Sequence, residues 1–116
     1  MTNKKILIIA EAGVNHNGSV KTALKLCKIA KNSGADYVKF QIFNMEEQIS
    51  KFAKTAIYQK KQTNMNNMMR MVKSFTLSLH DHLKIKNYCK KIKIKYLASC
   101  FDIKSTKFYK DNLNQK

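Results

Sequence analysis

The sequence has no proline, no tryptophan, three glycines and a single arginine, and it lacks any long apolar run. A membrane-spanning helix needs about 18 consecutive apolar residues, and no segment reaches that length. The run Ile6–Ala10 near the start is too short for the core of a secretion signal, and Glu11 ends it. We therefore expect a cytoplasmic protein that does not associate with a membrane.

Cysteine is scarce and unpatterned. Cys27, Cys89 and Cys100 lie far apart, and no Cys-x-x-Cys pair occurs. An odd, unpatterned set argues against a zinc knuckle or a disulfide framework and fits a reducing compartment. Cys27 and Cys89 fall on apolar helical stripes, which favours a packing role, whereas Cys100 is predicted beside a ligand-binding edge.

Acidic residues are few, so the formal net charge is +16. Such a charge raises the alternative of a small, basic, non-catalytic nucleic-acid-binding module. Proteins that read bases and phosphates usually rely on arginine, yet Arg70 is the only one here and the lysines are spread along the whole chain. A composition rich in lysine, asparagine and isoleucine is also what an AT-rich genome encodes, and we favour that explanation.

The apolar pattern predicts an α/β protein. Residues 5–10 form a continuous apolar run that predicts a buried parallel strand, and the glycines and asparagines of 11–18 predict a loop. Ser19 is a suitable cap for a helix, which Gly34 would end. Residues 36–42 alternate between apolar and polar, so a second strand follows, parallel to the first.

A long connection, residues 43–77, comes next. Its methionines have helical spacing around Met65–Val72, which predicts a short helix. Ser78 with Asp81 predicts the start of another helix. Residues 93–99 form the third predicted strand, and a further helix is expected to begin in 101–109. No internal repeat and no interdomain linker are visible.

Each predicted strand ends in polar residues: Glu11 after the first, Lys39 and Gln41 in the second, Ser99 in the third. In parallel α/β folds the carboxyl ends of the strands form the ligand-binding edge, so these four side chains should lie together. A buried lysine and amide need partners, and a bound anion would be one. The alternative is a Lys39–Glu11 ion pair that only satisfies two charges.

Three segments together resemble the sialic-acid synthase family, which includes the legionaminic and pseudaminic acid synthases. The first has the pattern Ala-Glu-x-Gly-x-Asn-His-x-Gly (residues 10–18), the second has Val-Lys-x-Gln (38–41), and the third is 96–102. The combination is specific, although neither of the first two patterns is so alone. The resemblance covers about 6–108 and implies the first three βα units of a (β/α)₈ barrel. Residues 1–116 would be the N-terminal portion of that domain.

The resemblance implies an enzyme that condenses phosphoenolpyruvate with N-acetylmannosamine or a related amino sugar and releases phosphate. Lys39 and Ser99 should then contact phosphoenolpyruvate, and Glu11 and Gln41 should contact the sugar. Tyr58-Gln59 resembles a Tyr-Gln pair of the family's second connection. The family also implies a homodimer and a divalent metal, manganese or magnesium, that polarises the aldehyde.

The chain departs from the family pattern. Where many relatives have Ser-Thr-Pro-Phe, it has Ala98-Ser99-Cys100-Phe101, which keeps a hydroxyl but loses the rigid proline. A 116-residue chain is also shorter than the roughly 250 residues of a complete barrel. The family's metal-binding histidines, its Lys-Ile-x-Ser-Gly-Glu strand and its C-terminal antifreeze-like domain are absent from it. We therefore expect the chain to be inactive alone.

The three histidines are weaker candidates. His16 lies in the first loop, where contact with substrate at the pocket rim and a hydrogen bond that stabilises the turn are equal alternatives. His80 and His82 suggest a ligand pair, but residues two apart on a helix do not face each other. We therefore predict no metal site there.

Overall fold

The computed structural model describes residues 5–44 and 62–114. This part of the chain contains three strands and four α-helices, with two helices between the second and third strands, and a π-helical turn (Tyr109–Leu113) follows the last helix. In chain order they are β1 (Ile9–Gly13), α1 (Val20–Asn32), β2 (Tyr37–Ile42), α2 (Gln62–Ser74), α3 (Leu79–Ile92), β3 (Lys95–Cys100) and α4 (Ile103–Phe108).

The three strands form one parallel sheet in the order β1-β2-β3. Glu11 lies opposite Lys39, and Gln41 lies opposite Ser99. The register of β1 on β2 shifts between Glu11 and Gly13, where one extra residue is accommodated. Consecutive parallel strands joined through a helix are the βαβ arrangement that the sequence predicts.

The core lies on one face of the sheet, beneath α1 and α3. Val38, Phe40 and Ile42 alternate along β2 and are fully buried against these helices. Further fully buried core side chains come from α1, α3, β3 and the π-helical turn: Ala23, Cys27, Ile85, Cys89, Tyr96 and Leu113. The opposite face of the described sheet therefore carries the other half of each strand's side chains.

The helix boundaries follow the capping residues read from the sequence. The Ser19 hydroxyl accepts a hydrogen bond from the Thr22 amide, and Ser78 forms a complete capping box with Asp81. Gly34 follows the end of α1 with a φ of +87°, a conformation that favours glycine. These predictions are confirmed, as is the helix around the methionines, which is α2.

The first strand differs from its prediction. Strand β1 begins at Ile9, not at Lys5, and the side chains of Ile6, Leu7 and Ile8 are exposed. Two residues tie this stretch to Asp36, directly before β2: the Ile8 N–H donates to one carboxylate oxygen at 2.9 Å, and the Lys5 Nζ lies 2.9 Å from the other. Its apolar side chains meet no covering element in the described part of the chain.

Strand β3 begins two residues later than predicted. Lys93 adopts a left-handed conformation, φ 64°, and its N–H donates to the last carbonyls of α3. This closing turn uses Lys93 and Ile94, so pairing with β2 starts at Lys95. Within residues 5–44 and 62–114, no helix combines the length and apolar character needed to cross a membrane.

Candidate active site

Four polar side chains occupy the sheet face opposite the helices. Lys39 and Gln41 alternate with the buried residues of β2, so they point away from the core. Their register partners are Glu11 on β1 and Ser99 on β3, and paired residues of neighbouring strands point to the same side. The structure therefore brings together the four side chains predicted from the strand ends.

Glu11 and Lys39 form the ion pair that was the alternative to ligand binding. The Lys39 Nζ lies 3.6 Å from Glu11 Oε2, and the two side chains keep 34% and 50% of their surface exposed. An ion pair this exposed contributes little to stability, at most about 1 kcal/mol. Both charges also remain accessible to a ligand, so this contact does not exclude one.

Gly13 leaves open the space between the sugar-binding candidates. A Cβ atom at Gly13 would lie 3.4 Å from Glu11 Oε1 and 3.8 Å from Gln41 Nε2. The carboxylate of one strand and the amide of the next therefore border the same small volume. A carboxylate acceptor beside an amide donor is suited to the hydroxyl and acetamido groups of an amino sugar.

An aromatic pair follows the ends of β2 and β3. The rings of Phe43 and Phe101 stack with their centroids 4.7 Å apart. The Phe101 N–H donates to the Ile42 carbonyl at 3.2 Å, which continues the strand pairing by one residue. Phe43 and Phe101 thus extend the row that contains Gln41 and Ser99, and they border the carboxyl edge of the sheet.

Asp102 holds this edge together, and the sequence analysis did not identify it. Its Oδ2 accepts the Asn44 N–H at 2.5 Å, and its Oδ1 accepts the Ser105 N–H at 2.7 Å. One buried carboxylate thus caps α4 and fixes the chain that leaves β2. An aspartate directly before an apolar helical residue, here Ile103, is the signal that could have predicted the cap.

His16 does not border the polar face. It is 1% exposed, stacks on the Phe40 ring on the helix side of the sheet, and accepts the Gly18 N–H on Nδ1 at 3.0 Å. Burial lowers the pKa of His16, so the ring is neutral with its proton on Nε2. Of the two alternatives for this residue, the structure favours stabilisation of the turn.

His80 and His82 lie in different environments, as expected for residues two apart on a helix. His80 is exposed at the start of α3, whereas His82 is buried with its Nδ1 hydrogen-bonded to the Tyr96 hydroxyl at 2.8 Å. Burial, followed by repulsion from His16 when both rings are protonated, lowers the pKa of His82 to about 4. Burial also raises the pKa of Tyr96, so this pair is neutral at physiological pH.

Metal binding has no visible site in the described residues. There, no group of three or more histidine, cysteine, aspartate or glutamate side chains could hold an ion. An open cavity of about 390 Å³ lies beside Phe43 and Asn44 and is also lined by Lys73 and residues 76–79, but none of the four polar side chains lines it. Tyr58 and Gln59 lie outside the described residues.

The fold and the polar edge define a class of protein: a parallel α/β chain with three βα units of a (β/α)₈ barrel and a row of polar side chains at its strand ends. Comparison with known proteins identifies the family. A sequence model of the NeuB family matches residues 5–115. The chain belongs to this family of sialic-acid and related nonulosonic-acid synthases.

Two similar proteins are both named as N,N'-diacetyllegionaminic acid synthases. The chain is 48% identical over 103 residues to the N,N'-diacetyllegionaminic acid synthase of Campylobacter jejuni subsp. jejuni serotype O:2, covering 88% of the chain and 31% of that protein. It is 39% identical over 102 residues to the synthase of the same name from Legionella pneumophila, covering 87% and 29%.

A solved structure supports the same fold. The N-acetylneuraminic acid synthetase of Leptospira borgpetersenii superimposes with a TM-score of 0.71 and 27% identity, over 94% of this chain and 34% of that one. The chain therefore spans about a third of the length of the relatives it matches. These comparisons give no support to the alternative of a nucleic-acid-binding module.

Proposed function

We propose that the chain supplies one wall of the active site of a synthase that joins phosphoenolpyruvate to an N-acetylated amino sugar. The observation that carries this proposal is the grouping of Glu11, Lys39, Gln41 and Ser99 on one accessible sheet face. A purely structural ion pair would account for the two charges. It would not account for the Gln41 amide and the Ser99 hydroxyl, which form the neighbouring cross-strand pair on the same face.

Each side chain suits one part of the substrates. The Lys39 ammonium matches the phosphate or carboxylate of phosphoenolpyruvate, because a charged hydrogen bond to an anion is strong. Ser99 lies on the neighbouring strand and offers a hydroxyl to the same substrate. Glu11 and Gln41, which border the space above Gly13, would bind the hydroxyl and acetamido groups of the sugar.

The reaction forms one carbon–carbon bond. The double-bond electrons of phosphoenolpyruvate leave from C3 to the aldehyde carbon of the open-chain sugar, and the aldehyde oxygen takes a proton and becomes a hydroxyl. Water adds its oxygen to C2 and loses a proton. The C2 hydroxyl then loses its proton and becomes the keto group as the bond between C2 and the phosphate oxygen breaks. Inorganic phosphate leaves with that electron pair and takes up the proton. Holding both substrates in contact supplies the proximity that this step requires.

No described residue is assigned to a metal or to the proton transfers. The family's divalent ion would polarise the aldehyde, but the part of the chain that the structure describes contains no cluster that fits it. The proposed role is therefore substrate binding. Lys39 and Ser99 orient phosphoenolpyruvate, and Glu11 and Gln41 orient the sugar.

Lys39→Ala tests the proposal in a complete barrel. The 103 residues that match the C. jejuni synthase can replace their counterparts in that enzyme, and phosphate release can then be measured. Loss of a charged hydrogen bond costs about 1.5–3 kcal/mol. We expect the KM for phosphoenolpyruvate to rise about ten- to a hundredfold, with a smaller change in the KM for the sugar.

Lys28→Ala is the matched control, because Lys28 is an exposed lysine of α1. It removes the same charge and should leave both KM values unchanged. Separate assays with N-acetylmannosamine and with a diacetamido hexose would show which sugar class is used. Equal changes in both KM values for Lys39→Ala, or a lowered melting temperature with normal kinetics, would contradict the phosphate role.

A further inference from the structure

Two cysteines far apart in the sequence meet in the core. The Sγ atoms of Cys27 on α1 and Cys89 on α3 lie 3.5 Å apart across 62 residues of chain. Both side chains are fully buried, and both are free thiols. Cys100, at the end of β3, is partly exposed and makes no such contact with either of them within the described residues. The fold therefore places two of the three cysteines in contact with each other and the third apart from them.

We infer that Cys27 and Cys89 are a modification site: they form a disulfide between α1 and α3 when the protein meets a small disulfide oxidant such as oxidised glutathione. A disulfide bond is about 2.05 Å long, so the sulfurs must approach by about 1.5 Å. Rotation about the two side-chain bonds and a small helix shift can supply that movement. The core holds the thiols at high effective concentration, which favours this link over others.

The chemistry is a two-step exchange. The Cys89 thiolate attacks one sulfur of oxidised glutathione, which forms a mixed disulfide and expels one glutathione thiolate. The Cys27 thiolate then attacks the Cys89 sulfur, forms the protein disulfide and expels the second glutathione. The two protein thiols lose two electrons and two protons. Oxidised glutathione gains them and becomes two glutathione molecules.

Burial makes the exchange slow without changing its outcome. The hydrogen bond with Cys89, together with burial, raises the pKa of Cys27, so little thiolate exists in the closed core. Reaction therefore proceeds when α1 and α3 separate locally, and the core closes over the paired sulfurs afterwards. Since both helices pack behind β2, the disulfide would fix the layer that supports Lys39 and Gln41.

The experiment compares pairing in native buffer with pairing in urea. The reduced chain is incubated with oxidised glutathione, the remaining thiols are alkylated, and the linked peptides are quantified by mass spectrometry. Three cysteines allow three pairs, so an unfolded chain distributes its links among them. We expect the Cys27–Cys89 link to dominate several-fold over the other two in native buffer and to lose that lead in urea.

Serine substitutions of the three cysteines test whether the link depends on the contact between Cys27 and Cys89. Cys100→Ser should leave the yield of the Cys27–Cys89 link unchanged. Cys27→Ser and Cys89→Ser should each abolish the dominant product. The linked chain should also unfold at a higher urea concentration than the reduced chain, and a reductant should reverse that shift. Equal shares of the three links in buffer and in urea would overturn the inference, and so would a native product in which only Cys100 has reacted.

Discussion

His82 is a buried neutral group whose environment opposes protonation. Its ring is 1% exposed, it is hydrogen-bonded to Tyr96, and it meets the Phe40 ring edge-on. Adding a proton would place a charge where little water can reach it and near a second histidine, His16. The folded state therefore binds this proton less readily than the unfolded state does.

This difference predicts acid-sensitive stability. The ordinary pKa of histidine is about 6.5, and that of His82 in the fold is about 4. Between these values the unfolded chain takes up a proton that the folded chain does not, so the free energy of unfolding falls as the pH is lowered. We expect a loss of about 3 kcal/mol from pH 7 to pH 4, measured by urea unfolding.

His82→Gln and His80→Gln form a matched pair for this measurement. His80 is exposed, so its removal should leave the pH dependence intact. The His82 variant should be less stable at pH 7. It should lose less stability on acidification, because it lacks the imidazole that binds a proton more readily in the unfolded state than in the folded state. Identical pH profiles for the two variants would refute the assignment to His82.

At the residue scale, the alternation of apolar and polar residues along a strand predicts which side chains share one face of the sheet. Lys39 and Gln41 could be identified because they interrupt an apolar strand at every second position, which assigns them to one face. The His82–Tyr96 hydrogen bond could not be predicted, because it joins two elements whose separation depends on how α3 lies on the sheet. The Asp102 contact with Asn44, across 58 residues, has the same origin.

Among the elements, the first loop lies close to the end of α2 at Gly18. This glycine has a φ of +76°, and a Cβ there would collide with the Ser74 backbone carbonyl at the end of α2. Gly34 has a similar φ, +87°, but a Cβ there would have no atom within 4 Å. The two positions therefore share a conformational demand and differ in the space around them.

Gly18→Ala should consequently be the more destabilising of two similar substitutions. In each case a left-handed backbone costs an alanine about 1–2 kcal/mol. At Gly18 the collision with a backbone atom, which cannot rotate away, adds about 1–3 kcal/mol. Urea unfolding of Gly18→Ala and Gly34→Ala measures the difference, and equal losses would show that the loop does not pack on α2 as described.

Element boundaries were predictable where a local signal sets them. Ser19, Ser78 and Gly34 mark helix ends through their own hydrogen bonds or dihedral preferences. The start of β1 was not predictable. An apolar side chain favours burial, but the sequence does not show whether another element covers it. Ile6 is apolar and 82% exposed, and its sequence neighbours contain nothing that distinguishes it from a covered residue.

The whole molecule is strongly basic, at a net charge of +16. Lysines of α1, such as Lys21, Lys25 and Lys28, lie exposed on the helix side, away from the candidate site. A charge of this size supports salt-sensitive, sequence-independent attraction to polyanions in general. These α1 lysines therefore lie on the opposite side of the sheet from the residues proposed to bind substrate.

The described part of the molecule leaves an apolar surface exposed beside β1. Ile6, Leu7, Ile8 and Ile9 are between 49% and 82% exposed along this edge. A contiguous apolar strip of this kind favours association with other surfaces. The candidate site is equally open, since Glu11 and Lys39 contact solvent where an opposite wall would otherwise enclose a substrate.

We expect the 116-residue chain alone to release no phosphate from phosphoenolpyruvate and an N-acetylated amino sugar in the presence of manganese. Catalysis of this condensation needs donors on several sides of both substrates, held in place together. The chain offers four binding side chains on one face and, among the described residues, no cluster that fits a metal. It also spans 31% of the C. jejuni synthase.

The same segment placed in that complete synthase is the positive control, because it presents an identical wall to an intact opposite side. We expect phosphate release from the chimera and a rate equal to the no-enzyme blank from the chain alone. Light scattering on the same sample would report whether the apolar strip drives association. Turnover by the chain alone that Lys39→Ala abolishes would mean that its βα units assemble a complete site between copies, since one copy supplies only this wall.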